Sequence, residues 1–190
     1  MINQLKDFII ILEDAISKKL CDEILNEYQN FNEWSEASVT DGKKEKLNKE
    51  IRNCKVISIS DNLIIEKNKI IRKNLDLKVF ECVTKVIEKY NKKFNNAKID
   101  KDTGYLLLKY EKGGFYTQHI DSFTETPRTI SCSFILNDNF KGGEFSFFNN
   151  TLTYDLKKGS AIMFPSNFLY PHSVLPVIDG TRYSIVTWFV

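Results

Sequence analysis

The chain contains two histidines, His119 and His172, and one of them stands two residues from a carboxylate. Residues i and i+2 of a β-strand project from one face, so His119 and Asp121 are expected to point the same way. His172 opens another predicted strand, which a barrel can bring opposite the first pair. Two imidazoles and one carboxylate leave three open positions on a metal, which suits non-haem Fe(II) and O2 chemistry. Taken singly, each motif is more often a hydrogen-bonded structural feature.

A second polar motif, Arg182-Tyr183-Ser184, begins ten residues after His172. Arg182 and Ser184 share a strand face by the same alternation. An arginine is permanently charged and binds a carboxylate through two parallel hydrogen bonds, and a serine hydroxyl adds another donor. A metal triad together with a carboxylate anchor indicates a 2-oxo acid that chelates iron at one end and is held at the other.

Several segments of the second half of the chain carry a family resemblance, and their order and spacing agree with it. They are 110–121 (YEKGGFYTQHID), 134–138 (FILND), 142–144 (GGE), 158–164 (KGSAIMF), 172–177 (HSVLPV), 180–184 (GTRYS) and Trp188. The chain resembles the prolyl 4-hydroxylase-like branch of the Fe(II)/2-oxoglutarate-dependent dioxygenases. Weaker similarity extends to residues 20–25 and 51–53.

The resemblance implies a role for each motif residue. His119, Asp121 and His172 match the iron ligands, and Arg182 matches the partner of the 2-oxoglutarate C5 carboxylate, with Ser184 beside it. Tyr110 matches a tyrosine whose hydroxyl reaches the bound 2-oxoglutarate; the alternative for Tyr110 is a strand aromatic that only packs.

The resemblance also implies a set of substrate residues around the pocket entrance. Each of them is equally compatible with packing or a surface contact. They are Tyr116, Arg128, Trp188, Arg52 and Trp34. The lysine-rich segment 43–49 is either a solvated loop or a lid that closes over an extended peptide.

The implied reaction hydroxylates an unactivated C–H bond with Fe(2+), 2-oxoglutarate and O2, releases succinate and CO2, and has ascorbate as a candidate auxiliary reductant. The implied substrate is a prolyl residue in a peptide or protein. Another protein residue or a free amino acid is the alternative within the family. A different class of protein, a non-oxidative cupin-type binder of Zn or Ni, uses the same triad, but it has no need of Arg182 and Ser184.

Turn signals and periodicity predict the elements that must position these residues. A helix capped by Ser17 and a second helix over 76–94 follow a short strand at 7–12. Eight further strands are predicted at 105–110, 115–121, 129–136, 144–148, 151–156, 160–164, 172–177 and 182–190. The expected fold is mainly β with supporting α-helices, a double-stranded β-helix (jelly roll, cupin-like barrel) with the amino-terminal helices packed on it.

Length and composition fit this architecture. The 190 residues predict a single domain, 1–190, with helical support and outer strands in 1–100 and the core jelly roll in 101–190. A net charge of +2 provides no broad positive field, so neither nucleic acid nor a membrane is an expected partner. The four cysteines lack CxxC spacing and are expected as reduced, buried thiols. No signal-like or membrane-spanning run is evident, which favours a cytoplasmic protein.

Overall fold

The computed structural model describes residues 4–60 and 69–190, and most of them belong to two antiparallel sheets. The larger sheet has seven strands. In spatial order they are β1 (Ile10–Leu12), β13 (Ala161–Pro165), β9 (Ile130–Ile135), β16 (Arg182–Phe189), β7 (Leu106–Tyr110), β6 (Lys55–Ser58) and β2 (Ser35–Glu36). All six residues of β9 are buried, because both faces of this central strand are covered.

The smaller sheet has five strands and faces the larger one. In spatial order they are β12 (Leu152–Tyr154), β11 (Phe145–Phe147), β14 (His172–Val174), β8 (Phe115–His119) and β5 (Arg52–Asn53). Two short pairs complete the β-structure. They are β3 (Val39–Thr40) with β4 (Glu45–Lys46), and β10 (Lys141–Gly142) with β15 (Val177–Asp179).

The larger sheet separates two hydrophobic cores, and successive strand residues contribute to different cores. In β7, Leu107 packs with the helices while Leu108 packs between the sheets. In β9, Phe134 and Ile135 divide in the same way. This alternation follows from the two-residue period of a strand. Only every second residue of a strand in the larger sheet can therefore point into the space between the two sheets.

Two helices cover the outer face of the larger sheet. Helix α1 (Lys18–Tyr28) begins as predicted, with the Ser17 hydroxyl accepting from the Leu20 N–H at 3.2 Å. Helix α2 (Lys69–Lys93) extends further toward the amino terminus than the predicted range 76–94. Within that extension Arg72 is buried, forms an ion pair with Glu27 at 3.0 Å and lies 4.0 Å from the centre of the Phe31 ring. A charged residue on the buried face interrupts the apolar stripe, which is why periodicity missed the first turns.

Three predicted strands differ from the structure for local reasons. The strand predicted at 172–177 is divided into β14 and β15, with Pro176, which has no N–H for a ladder, between them. The strand predicted at 7–12 begins only at Ile10, because Leu5–Phe8 is a 3-10 turn. The strand predicted at 115–121 ends at His119. The short strands β2 to β6 were not placed individually by sequence. Strands β2 to β5 have only two residues each, and the four residues of β6 are all half-buried, so none of them leaves an alternating pattern.

The expected fold class is confirmed: the chain is mainly β, and two facing antiparallel sheets of the jelly-roll type are supported by two amino-terminal helices. The sheets do not close into a continuous barrel. Strands β7 to β16 all fall in residues 101–190, the predicted core half. The four cysteines are buried and free, as predicted. Neither α1 nor α2 is long and apolar enough to cross a membrane, and the described residues contain no other candidate span.

Replacing Phe134 by alanine is expected to lower the free energy of unfolding by about 3–5 kcal/mol, because its ring is fully buried between the larger sheet and the helices. Urea denaturation followed by circular dichroism measures this change. Phe168→Ala is the matched control: its ring is 74% exposed, so a change within about 0.5 kcal/mol is expected. Equal losses in both variants would contradict this description of the core.

Candidate active site

The pairing of two strands in the smaller sheet brings the two histidines together. Strands β8 and β14 are antiparallel neighbours, and His119 is the ladder partner of His172. Asp121 follows two residues after His119, and its two carboxylate oxygens lie 3.5 Å from His119 Nε2 and 3.5 Å from His172 Nε2. One ligand atom from each of the three residues lies within 4.8 Å of the others. The structure therefore assembles the predicted triad as a candidate metal site.

Backbone carbonyls orient both imidazoles toward the centre of this triad. His119 Nδ1 lies 2.9 Å from the Thr117 carbonyl, and His172 Nδ1 lies 3.1 Å from the Tyr170 carbonyl. An Nδ1–H that donates to a carbonyl leaves the Nε2 lone pair free for a metal. Burial lowers the pKa of His172 to about 4, with the neighbouring His119 acting in the same direction. His172 is thus neutral at pH 7, which is the form that binds metal.

Asp121 is held by two serines that sequence reasoning missed. Its N–H donates to the Ser166 carbonyl at 3.2 Å, which draws the chain out of the β8 ladder. Its carboxylate accepts from the Ser131 hydroxyl at 2.6 Å, and Ser131 Oγ lies 2.8 Å from Ser166 Oγ. Burial alone would raise the pKa of Asp121, but His172, His119 and the Ser131 hydroxyl outweigh it and hold that pKa well below its usual range.

A signal for Ser131 was present in the sequence. It is polar in an otherwise apolar central strand and lies on the face of β9 that points between the sheets. Polar residues that alternate in a buried strand indicate partners inside the protein, because buried hydroxyls are normally hydrogen-bonded.

At the other end of the site, Arg182 is buried with part of its hydrogen-bonding capacity unused. It is 2% exposed, and its Nη1 donates to Ser184 Oγ at 2.9 Å. Its Nη2 is buried without a hydrogen-bond partner, and no carboxylate pairs with it among residues 4–60 and 69–190. Burial lowers the pKa of Arg182, which expresses the cost of a desolvated charge. A carboxylate ligand would relieve that cost.

One cavity of about 160 Å³ joins the triad to this arginine. Arg182, Ser184, Val186 and Trp188 all line it, as the two-residue alternation of β16 requires. Tyr110 lines it as well, with its ring 5.3 Å from the Arg182 guanidinium carbon. Burial, together with the nearby Cys54, raises the pKa of Tyr110, so its phenol keeps its proton and can donate.

The donor set fits Fe(2+) and a 2-oxo dicarboxylate. Two imidazoles and one carboxylate suit Fe(II) with open positions. The distance between the triad and the unpaired guanidinium is spanned by a cavity with apolar walls, including Leu108 and Val186. A chain of two methylene groups with an anionic group at each end matches this distribution of charge.

Four of the predicted substrate residues line the entrance of the same cavity. Tyr116 stacks on His119 with ring centroids 3.5 Å apart, and the Arg52 guanidinium lies 4.6 Å from the Tyr116 centroid. The Arg128 guanidinium lies 3.7 Å from the Trp188 ring. Arg128 Nη1 also donates to the Asp121 carbonyl at 3.2 Å. Two aromatic rings and two guanidinium groups therefore form the walls of the entrance.

Trp34, the fifth predicted substrate residue, does not line this cavity. Its indole N–H donates to the Tyr28 carbonyl at 3.0 Å, and its ring packs 6.3 Å from the ring of Tyr183. Tyr183 belongs to the opposite face of β16 from Arg182, so Trp34 lies on the helix side of the sheet. The expectation for Trp34 is corrected to a packing role.

The lysine-rich segment 43–49 is part of a folded hairpin. Glu45 belongs to β4 and lines the cavity together with Thr40 of β3. At the turn, Gly42 has φ +91°, and a Cβ there would meet Phe123 Cβ at 2.9 Å. The hairpin thus packs closely against the segment that follows Asp121, and it forms one edge of the cavity mouth.

Comparison with known proteins agrees with this geometry. Residues 105–190 match the model of the 2OG-Fe(II) oxygenase superfamily. A PKHD-type hydroxylase of Prochlorococcus marinus is 36% identical over 91 residues, and one of Rippkaea orientalis is 33% identical over 92 residues. These matches cover 45% and 44% of this chain, and the chain spans 40% of the length of each of the two relatives.

Solved structures match nearly the whole chain. A Trichoplax adhaerens prolyl hydroxylase, solved with a hypoxia-inducible-factor peptide fragment, aligns with TM-score 0.77 at 22% identity, over 96% of this chain and 83% of that one. A Pseudomonas putida prolyl-4-hydroxylase aligns with TM-score 0.71 at 18% identity, over 96% and 91%. At such identities the likeness shows a shared fold. The family match covers residues 105–190, so the carboxy-terminal part of the chain is similar in sequence to the 2OG-Fe(II) oxygenase superfamily.

Proposed function

We propose that the protein is an Fe(II)- and 2-oxoglutarate-dependent dioxygenase that hydroxylates a prolyl residue in a peptide or protein. The observation that carries the proposal is the placement of the His119, Asp121 and His172 triad and the unpaired Arg182 guanidinium in one cavity. The triad alone fits many metal proteins. A buried arginine with an unused donor, facing the same space, adds the requirement for an anionic ligand.

The residues divide into two binding groups. His119, Asp121 and His172 hold Fe(2+), and Arg182 with Ser184 holds the distal carboxylate of 2-oxoglutarate. Tyr110 lies beside Arg182 and donates its hydroxyl to the same ligand. When bound, the metal and 2-oxoglutarate supply the oxidising chemistry: one atom of O2 enters the substrate C–H bond and the other enters succinate, with release of CO2.

The chain contributes orientation and exclusion of water. Ser131 and the backbone at Ser166 fix the Asp121 carboxylate, and two carbonyls fix the imidazoles, so the chain itself positions the three donor groups. The apolar walls of the cavity keep water from the reacting centre.

The aromatic and basic entrance supports a peptide substrate. Tyr116 and Trp188 offer flat rings against which a pyrrolidine ring can pack, while Arg52 and Arg128 offer donors for peptide carbonyls or acidic neighbours. The Trichoplax adhaerens protein was solved with a peptide fragment, and the Pseudomonas putida protein is a prolyl-4-hydroxylase. Another protein residue or a free amino acid is the alternative substrate within the same chemistry.

Two measurements test the function. Succinate formation from 2-oxoglutarate, with and without Fe(II) and with ascorbate as an optional reductant, separates an oxygenase from a cupin-type Zn or Ni binder. Mass spectrometry of a proline-containing peptide library then detects a product heavier by one oxygen atom. Absence of both succinate and hydroxylated product from an Fe(II)-loaded protein that is shown to be folded would refute the proposal.

His119→Ala, Asp121→Ala and His172→Ala are each expected to reduce 2-oxoglutarate turnover to background, because three ligands of one metal act as a unit. Succinate formation at limiting Fe(II) measures this, and circular dichroism checks the fold. Asp155→Ala is the control, since this carboxylate is exposed and pairs only with Lys157 in the described structure. Near-normal turnover by His172→Ala would remove it from the triad.

Arg182→Lys is expected to raise the KM for 2-oxoglutarate about tenfold or more, because an ammonium group does not reproduce the planar pair of charged hydrogen bonds. Arg182→Ala should raise it further. Steady-state kinetics with varied 2-oxoglutarate measure both variants. Arg128→Lys is the matched comparison at the entrance and should change the KM for peptide instead. An unchanged KM for 2-oxoglutarate in both Arg182 variants would show that another basic residue holds the distal carboxylate.

Deleting residues 43–49 is expected to lower kcat/KM for peptide hydroxylation severely, while decarboxylation of 2-oxoglutarate without peptide persists. The deletion removes β4 and its contact with the cavity mouth, whereas the triad and Arg182 lie on other strands. Parallel assays of succinate and hydroxylated peptide measure the two effects. Should peptide hydroxylation proceed with unchanged kcat/KM, the hairpin is not a substrate lid.

A further inference from the structure

An unpaired hydroxyl lies in the cavity wall, at a position used by neither the triad nor the arginine. Ser133 is 3% exposed and lines the cavity, and its Oγ has no hydrogen-bond partner among residues 4–60 and 69–190. Burying a hydroxyl without a partner costs free energy, because its hydrogen bonds to water are lost. Such a group in the wall of a ligand cavity indicates a ligand atom that accepts from it.

The position of Ser133 along β9 places it one step from the metal end of the cavity. Ser131 and Ser133 share a strand face and are separated by about 7 Å, because a strand rises about 3.4 Å per residue. Ser131 marks the level of the triad, since its hydroxyl holds the Asp121 carboxylate. Ser133 is therefore the next side chain on this face of β9 in the direction from the triad toward Arg182 and Ser184.

The pairing of β9 with β16 places Ser133 one step from the anchor as well. Ser133 is the ladder partner of Val186, and the next residue of β16 on the same face toward the interior is Ser184. The Ser184 hydroxyl accepts from Arg182 and so marks the level of the distal carboxylate. The Ser133 hydroxyl thus lies between the level of the distal carboxylate and that of the triad.

2-Oxoglutarate offers this hydroxyl an acceptor at each of its two ends, and the keto-acid end is the one to which no protein donor has been assigned. The distal carboxylate is held by Arg182 and Ser184, and the two methylene groups cannot accept a hydrogen bond. The remaining acceptor is the keto-acid end, which faces the triad. We infer that the Ser133 hydroxyl donates a hydrogen bond to the keto-acid end of 2-oxoglutarate. The inference rests on the proposed function, because Arg182 sets the direction in which the ligand lies.

The test is binding of 2-oxoglutarate to the full chain loaded with Mn(2+), measured by titration calorimetry without turnover. Ser133→Ala should raise the Kd about tenfold or more, the effect of losing a hydrogen bond to a charged group. Ser133→Thr retains the hydroxyl and should keep most of the affinity. Urea denaturation should show that Ser133→Ala is at least as stable as the wild type, since the replacement removes an unpaired buried group.

Thr187→Val is a matched control on the other face of β16. Thr187 is fully buried and its hydroxyl also lacks a partner in the described part of the chain, but it does not line the cavity. Its replacement should leave the Kd for 2-oxoglutarate unchanged. An equal loss in Thr187→Val and Ser133→Ala would overturn the inference, because it would show a general effect of repacking.

Titration with 2-oxobutyrate identifies the end of the ligand that Ser133 contacts. This compound keeps the keto-acid group and lacks the distal carboxylate, so Ser133→Ala should weaken its binding while Arg182→Lys should not. Binding of 2-oxobutyrate that is insensitive to Ser133→Ala would overturn the assignment to the keto-acid end. A wild-type protein that binds Mn(2+) but no 2-oxoglutarate would instead overturn the proposed function, and the inference with it.

Discussion

The antiparallel pairing of β8 with β14 is the constraint on which the candidate site depends. It makes His119 the ladder partner of His172, so backbone hydrogen bonds between the two strands fix the separation of the imidazoles. Asp121 joins them because its backbone leaves the ladder to bond with Ser166. A shift of one residue in this register would turn His172 toward the other face of the sheet. The metal chemistry therefore depends on strand register.

The same principle places a costly charge at the far end of the cavity. The two-residue alternation of β16 points Arg182 into the cavity. Its guanidinium is buried between the rings of Tyr110 and Phe145, and its Nη2 has no hydrogen-bond partner. Replacing such a charge by an apolar side chain would favour the unliganded fold, so a ligand must account for its presence. Binding of an anion completes the hydrogen bonds and stabilises the folded chain by an amount that grows with the logarithm of its concentration relative to its Kd.

Sequence reasoning succeeded where one local rule decides the outcome. Period-two alternation placed Arg182, Ser184 and Trp188 on one face, because all of them belong to a single regular strand. It failed for Trp34, whose position depends on the non-local pairing of β2 with β6. It also missed the first turns of α2, where the buried Arg72 is accommodated by Glu27 from another helix. Contacts between distant segments leave no periodic signal in either segment.

The difference between central strands and edge elements also explains why the sequence predicts the cofactor better than the substrate. The anchor residues Arg182 and Ser184 sit on the long, buried ladders of β16 with β7 and β9, which tolerate one register. The two metal-site histidines are fixed by the pairing of β8 with β14. The entrance is bordered by the two-residue strands β3 and β4 and by the segment around Phe123, joined through the close contact at Gly42. Such elements accept changes of length and sequence at little cost to the core. A shared cofactor site can therefore serve different substrates when only these borders change.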